Sequence, residues 1–308
     1  MKFIHELLDC YFDTISTIAR RYIDKIYKDS LKIEEVSHYL SDFQSKDLYK
    51  KEIIFLLMRS FLNKNKACYF SGLMTDDEYE LYKSIAKSNN YLPNYISVSR
   101  EKDIIDFMTN TFYLEQYKYK DIVKIENNDI CIDCGAHCGD STIYMIKEKA
   151  QHVFSFEIDN DLCNIAKKNL ATSSLNEKAS IINAAISNIS GDAFFIPAAL
   201  NSSGSGQIVH NNIKDSVKIK SYSIDDFCTI NNIEPNFIKM NIEGSEINAI
   251  KGGESIIKKY KPKLAISIYH SWNDRIEIPL LLHDLVPEYK MYLKKCHPIY
   301  ETILFCSI

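Results

Sequence analysis

Ile130-Cys131-Ile132-Asp133-Cys134-Gly135-Ala136-His137-Cys138-Gly139-Asp140 is the stretch on which the reading of this chain turns. An apolar run ends in an acid and is followed by Gly-x-x-x-Gly and a helix start. Open α/β sheets hold ligands at the carboxyl ends of their strands. Gly135 and Gly139 carry no side chain, so backbone there can approach a ligand closely. A dinucleotide loop reads Gly-x-Gly-x-x-Gly and seats a pyrophosphate on the helix N-terminus. This loop lacks the middle glycine and has Asp133 and Asp140 at its two ends. Carboxylates facing the ligand would repel a pyrophosphate and suit one that carries an ammonium and a sulfonium. Taken alone, a strand, turn and helix with chance glycines would look the same.

A second element adds weight. The next apolar run, His152-Val153-Phe154-Ser155-Phe156-Glu157, also ends in an acid. A carboxylate there is placed to accept hydrogen bonds from two ribose hydroxyls. Asp159 is free to cap the helix that follows, so the two acids need not compete. Asn183 and Ala184 close the third run, where the backbone could read the edge of an adenine. These features together suit a ligand of the kind that S-adenosylmethionine exemplifies.

The surrounding pattern agrees. Short Ile/Val/Phe-rich runs at 130–133, 153–157, 180–185, 237–242 and 264–269 alternate with helical stretches at 140–149, 159–171, 245–260 and 276–285. Near-continuous apolar strands separated by helices indicate a parallel sheet covered on both faces. Residues 289–294 and 302–306 are two runs joined by a short loop, so a hairpin brings the final strand in antiparallel at the sheet's far side. The expected fold class is α/β, a Rossmann-like class I methyltransferase fold. Its sheet is seven-stranded and mostly parallel with an antiparallel C-terminal hairpin, and a helical N-terminal domain precedes it. The expected division is 1–118 helical and 119–308 Rossmann-like.

Glycine usage marks that division: Gly72 stands by itself before residue 130, and the other eight glycines begin at Gly135. In the front part, Ile4, Leu8, Tyr11, Ile15, Ile18 and Tyr22 are spaced alternately by four and three, one stripe on a helix over 3–27. Such a stripe packs on its own domain or pairs with a second copy, so a homodimer through these helices is a candidate. Further helices are expected at 50–63, 76–89 and 102–113. The net charge of −4 without a basic run argues against nucleic acid as the main partner. No leader or membrane-spanning run is recognised, and the expected location is cytoplasmic. The nine cysteines are read as small core residues. The spacing C-x2-C-x3-C at Cys131, Cys134 and Cys138 has a superficial likeness to iron–sulfur ligation, but Cys131 lies inside the apolar strand, so no metal is expected.

Together, Ile132–Gly139, Phe156-Glu157, Asn183-Ala184-Ala185 and Phe237-Ile238-Lys239-Met240-Asn241-Ile242-Glu243-Gly244-Ser245-Glu246 resemble the FkbM methyltransferases. So do Ile268-Tyr269-His270, the Ile276–Pro279 segment and Glu301-Thr302. The resemblance covers roughly residues 110–308. It implies S-adenosylmethionine as cofactor and a hydroxyl on a sugar, polyketide or other small or glycosidic molecule as acceptor. It also implies cofactor contacts from Asp133, Gly135, Ala136, His137, Gly139, Thr142, Glu157, Ile158, Asn183 and Ala184. The candidates for acting on the acceptor are Lys239, Asn241, Glu243 and His270. Asn241 departs from the family, which usually has Asp there, and an amide cannot take up a proton as a carboxylate does. A protein that keeps the pocket without catalysis is therefore the competing reading. A nicotinamide dehydrogenase is disfavoured by the glycine pattern. Two loops are candidates for covering the site, Asn201–Gly206 and Phe112–Tyr117.

Overall fold

The structure is a computed structural model that describes residues 17–59, 109–196, 207–209, 216–297 and 300–308, with isolated positions between 62 and 84. In chain order the strands are β1 (Ile130–Cys134), β2 (His152–Glu157), β3 (Ala179–Asn183), β4 (Ala185–Ile186), β5 (Gly191–Ile196), β6 (Gln207–Val209), β7 (Val217–Tyr222), β8 (Phe237–Met240), β9 (Lys263–Ser267), β10 (Lys290–Lys295) and β11 (Thr302–Ser307). The α-helices are α1 (Thr17–Lys28), α2 (Ser30–Tyr39), α3 (Phe43–Met58), α4 (Asp140–Lys147), α5 (Asn160–Thr172), α6 (Ile224–Asn231), α7 (Glu246–Lys251), α8 (Glu254–Tyr260) and α9 (Asp274–Leu285).

Seven strands form one sheet in the order β10-β11-β9-β8-β1-β2-β3. β1 pairs in parallel with β2 and β8, and β11 runs antiparallel to both β9 and β10. This is the Rossmann-like sheet with an antiparallel C-terminal hairpin that the sequence pattern leads one to expect. β10 rather than β11 forms the outer edge.

Alternation explains why these runs are strands. Cys131 of β1 shares one apolar cluster with Val153, Phe237, Ala265 and Phe305. Its neighbours Ile132 and Cys134 share another with Phe156, Ile238, Met240, Ile266 and Leu304. Successive side chains thus fill opposite faces, and both faces are covered. Each large apolar side chain so buried contributes about 1.5–3 kcal/mol.

A four-stranded sheet in the order β4-β7-β5-β6 stands beside the main one, and the sequence reading did not foresee it. Strand β7 alternates Val, Lys, Ile and Lys and is too polar to stand out, whereas β5 carries the apolar run Ala193–Ile196, which the sequence reading passed over. The helix expected over 245–260 is two helices. At the break, a Cβ on Gly252 would lie 2.2 Å from the Ser187 carbonyl oxygen, so the chain crosses there with no room for a side chain.

The front helices α2 and α3 pack on the sheet rather than apart from it. Val36, Leu40 and Tyr49 belong to the same apolar cluster as Ile238 and Leu304. The start of α3 covers the edge strand: Ser41 and Ser45 hydroxyls accept the Met291 and Leu293 amides at 3.0 and 2.8 Å. Of the long amphipathic stripe, Ile4, Leu8, Tyr11, Ile15 and the Ile18 side chain lie outside the described residues. Tyr22 packs edge-on against Trp272, ring centroids 6.2 Å apart. Most of the helices expected at 76–89 and 102–113 also lie outside; Thr109–Tyr113 forms a π-helical turn. Among the described residues no helix is long and apolar enough to cross a membrane.

Candidate active site

The loop after β1 lies hard against the chain leaving β8. Gly135 has φ +90°, and a Cβ there would sit 2.0 Å from the Asn241 carbonyl oxygen. The Gly135 and Ala136 amides both donate to the Phe156 carbonyl at 2.9 Å, which locks the loop to the end of β2. His137, with φ +48°, donates its amide to Glu157 Oε2 at 2.8 Å, and Asp159 donates to Oε1 at 2.9 Å. The Glu157 carboxylate is thereby fixed in direction while each oxygen keeps a second acceptor position. Asn183 Nδ2 donates to the Glu157 and Ile158 carbonyls, both at 3.0 Å, and holds the turn beyond β2 in shape. Gly135, Glu157, Ile158, Ala184, Asn241 and Glu243 face one cavity of about 190 Å³, with Phe156, Leu162, Ile186 and Phe195 as apolar wall.

Asp133 and Lys239 lie beneath that cavity. The Lys239 ammonium is 2.8 Å from Asp133 Oδ1 and also donates to the Gly135 carbonyl at 2.6 Å. Asp133 Oδ2 accepts from the Ser141 and Thr142 hydroxyls at 2.7 and 2.9 Å. Asp140 accepts the Thr111 hydroxyl at 2.7 Å. The expectation that Asp133 and Asp140 turn bare carboxylates toward a ligand is therefore corrected: both are buried and satisfied by protein donors. Asp133, Thr142, Ala136 and Lys239 shape the loop from below, and Gly139, at φ +84°, caps α4.

The other half of the site gathers at the ends of β8 and β9. The Asn241 amide donates to the Cys134 carbonyl at 3.0 Å, which fixes its backbone. Asn241 Oδ1 is 2.9 Å from His270 Nε2 and 3.4 Å from the Tyr269 hydroxyl. The same His270 nitrogen is 3.3 Å from Glu246 Oε1, and Nδ1 is 3.7 Å from Glu243 Oε2. Tyr269 donates its hydroxyl to Glu301 Oε1 at 2.8 Å, and Gln116 donates to the other oxygen. Burial works against charge on His270, but Glu246, Glu243 and Glu301 outweigh it and lift its pKa to about 9. The ring is therefore an imidazolium at neutral pH, a donor to Asn241 rather than a vacant base. Burial pushes the Glu301 carboxyl up, and the Tyr269 hydroxyl well up.

Sequence reasoning assigned no role of their own to Glu246, Tyr269 or Glu301, and took Gln116 only as part of a covering loop. Glu246 lies four residues after Ile242, whose amide it accepts at 2.8 Å, and that short spacing was available as a signal. Gln116 and Glu301 are 185 positions apart, and nothing local links them. Phe112 and Tyr117 pack edge-on against Tyr144 at 6.1 and 6.4 Å, while Tyr113 between them is exposed and Gln116 reaches Glu301. The other candidate cover, Asn201–Gly206, lies outside the described residues. Cys131, Cys134 and Cys138 are free and buried, and burial raises all three thiols. Ligand-type atoms of His137, Cys138 and Asp140 lie within 4.8 Å of one another.

The methyltransferase FkbM domain model matches residues 133–299, more than half of the chain. No curated protein matches the sequence. Among solved structures, the methyltransferase FkbM from Methylobacillus flagellatus KT is similar with a TM-score of 0.59 and 20% identity. The match covers 92% of this chain and 60% of that one, so this chain spans about three-fifths of its length. An O-methyltransferase from Bacillus cereus in complex with SAH aligns at 13% identity and a TM-score of 0.38, over 78% of this chain and 95% of that one.

Proposed function

The chain belongs to the FkbM methyltransferase domain family, and from that premise we propose that it is an S-adenosylmethionine-dependent O-methyltransferase acting on a hydroxyl of a sugar or other small glycosidic acceptor. The observation that carries this is the cleft at the ends of β1, β2 and β8, with a fixed carboxylate at one end and a histidine–carboxylate cluster at the other. Its chemistry fits an adenosyl ligand. The apolar wall of Phe156, Ile158, Leu162, Ile186 and Phe195 suits a flat base. Glu157 keeps acceptor positions for two ribose hydroxyls, and Gly135 lets the chain leaving β8 close up against the loop that lines the cleft.

When bound, the cofactor supplies a methyl group on a sulfonium, an electrophile with an excellent leaving group. The protein's task is then chiefly to hold two reactants in line, a contribution of up to ~7–11 kcal/mol. Glu157, Ile158, Asn183 and Ala184 fix the nucleoside end, and the loop from Gly135 to Gly139 fixes the amino-acid end. On the acceptor side, protonated His270 donates to Asn241 Oδ1 and holds that amide still. Glu243, with its side chain 57% exposed at the cavity rim, would take the acceptor hydroxyl's proton. Such a base adds a factor of about 10²–10⁴. An amide at position 241 serves this arrangement because its role is to accept from His270 and face the acceptor, not to titrate.

Calorimetric titration with S-adenosylhomocysteine tests the reading, on the wild type and on Glu157→Ala. Binding lost in the variant is the expected result; a folded wild type that binds nothing would remove the cofactor and the activity with it. If methyl groups go only into protein or RNA, the hydroxyl acceptor is wrong. A protein that binds the cofactor and transfers no methyl to any acceptor would instead be a binding protein on the same fold.

A further inference from the structure

We infer that the helical front part positions the acceptor side of the site: Asp29, between α1 and α2, and Glu52 of α3 brace the Tyr269–Trp272 loop that carries His270. Glu52 is fully buried. Its Oε2 accepts from Arg275 Nε at 3.3 Å, and Arg275 Nη1 donates to the carbonyls of Tyr269 and Ser271 at 3.2 and 2.8 Å. Those two carbonyls flank His270. The other oxygen of Glu52 accepts from Lys295 and from the Thr302 hydroxyl, both at 2.6 Å. Thr302 follows Glu301, whose carboxylate takes the Tyr269 hydroxyl. One carboxylate of α3 thus reaches Tyr269 by two routes, through its backbone and through its side chain. Asp29 Oδ2 takes the Trp272 indole N–H at 2.7 Å and fixes the next turn of the same loop.

The loop needs this support because it has left the sheet. After Ile268, whose amide donates to the Thr302 carbonyl at 3.0 Å, the chain leaves the ladder and holds His270 between Asn241 and Glu246 by side-chain bonds. The domain match begins at residue 133, so Asp29 and Glu52 lie outside it. The family domain supplies His270, and the front helices set where its ring stands. They act through the loop and are positioning residues. A displacement of the order of ~1 Å in such a group costs about 10²-fold in rate. This inference rests on the reading of the β8–β9 end as the acceptor side.

The test follows the His270 ring by NMR through a pH titration of the full chain, with S-adenosylhomocysteine binding measured alongside. Two variants keep the charge balance, Trp272→Phe and Arg275→Lys. Both retain the groups that face His270: Glu243, Glu246, Glu301, Asp274 and the Tyr269 ring. The expected result is a His270 midpoint lowered by about one pH unit in each variant, with S-adenosylhomocysteine affinity within about twofold of the wild type. An unmoved midpoint in the folded variants overturns the inference, and so does loss of nucleoside binding, which would mean that the whole site has collapsed. If one variant does not fold, the other decides. Failure of the wild type to bind S-adenosylhomocysteine counts against the methyltransferase reading instead, because the midpoint does not depend on it.

Discussion

Lys239 and Asp133 form an ion pair at 1% and 0% side-chain exposure in the middle of the sheet. Taking two charges out of water is expensive, and this pair is offset by the Ser141, Thr142 and Gly135 contacts around it. Removing one partner leaves an uncompensated buried charge. Lys239→Met is expected to destabilise the fold by about 3–5 kcal/mol; adding Asp133→Asn should return part of that, as read from urea unfolding. A double variant no more stable than the single one would show that the pair is not coupled. His270 makes a prediction of its own. Its folded pKa of about 9 lies above the ordinary 6.5, so its stabilising effect is complete below pH 6.5 and is lost as pH rises through 9. The loss amounts to roughly 3 kcal/mol at most. Urea midpoints measured from pH 6 to pH 10 should fall over that window in the wild type and stay flatter in His270→Gln.

Gly252 separates α7 from α8 where the chain crosses Ser187. Gly252→Ala forces a Cβ to within 2.2 Å of a carbonyl oxygen and should cost about 1–3 kcal/mol. Cofactor binding should weaken without being lost, since Ser187 follows Ile186 of the cavity wall but does not itself line the cavity. Gly135→Ala meets the Asn241 carbonyl at 2.0 Å and also needs a left-handed backbone, so it should abolish S-adenosylhomocysteine binding, which calorimetry would read directly. The contrast shows how much of this molecule the sequence makes readable. Strands β1, β2, β8 and β9 stand out because they are largely buried on both faces and hence mostly apolar, with polar residues such as Asp133 and Lys239 as exceptions. β7 does not, because its lysines dilute the pattern, and β5 is a short apolar run without the flanking helix that marks the parallel strands. Helix α6 was also passed over, although Ser223 and Asp226 spell its start: the Asp226 amide donates to the Ser223 hydroxyl at 3.0 Å. In the site, Glu157 and Asn241 were readable from strand ends. The Glu301–Gln116 support of Tyr269 was not, because those two residues arrive from distant parts of the chain.

Across the whole molecule, the front helices and the sheet share one apolar core, and a buried cluster of Glu52, Arg275 and Lys295 joins them. Two cations hold the Glu52 carboxyl at a pKa of about 2 against the opposing effect of burial. Glu52→Gln should lower the unfolding free energy by about 3–5 kcal/mol, because both cations lose their counter-charge in a dry setting. A variant as stable as the wild type would mean that solvent reaches the cluster. The edge strand β10 carries a further consequence. Its outward amides at Met291 and Leu293 are taken by serine hydroxyls at the start of α3, which leaves that rim no free donors there for a foreign strand. A fragment cut at residue 119 would uncover them. Such a fragment should recruit its own kind rim to rim and come out of solution as growing ribbons. In the intact chain, two hydroxyls and the backbone of Leu40 and Ser41 stand between this fold and a polymer.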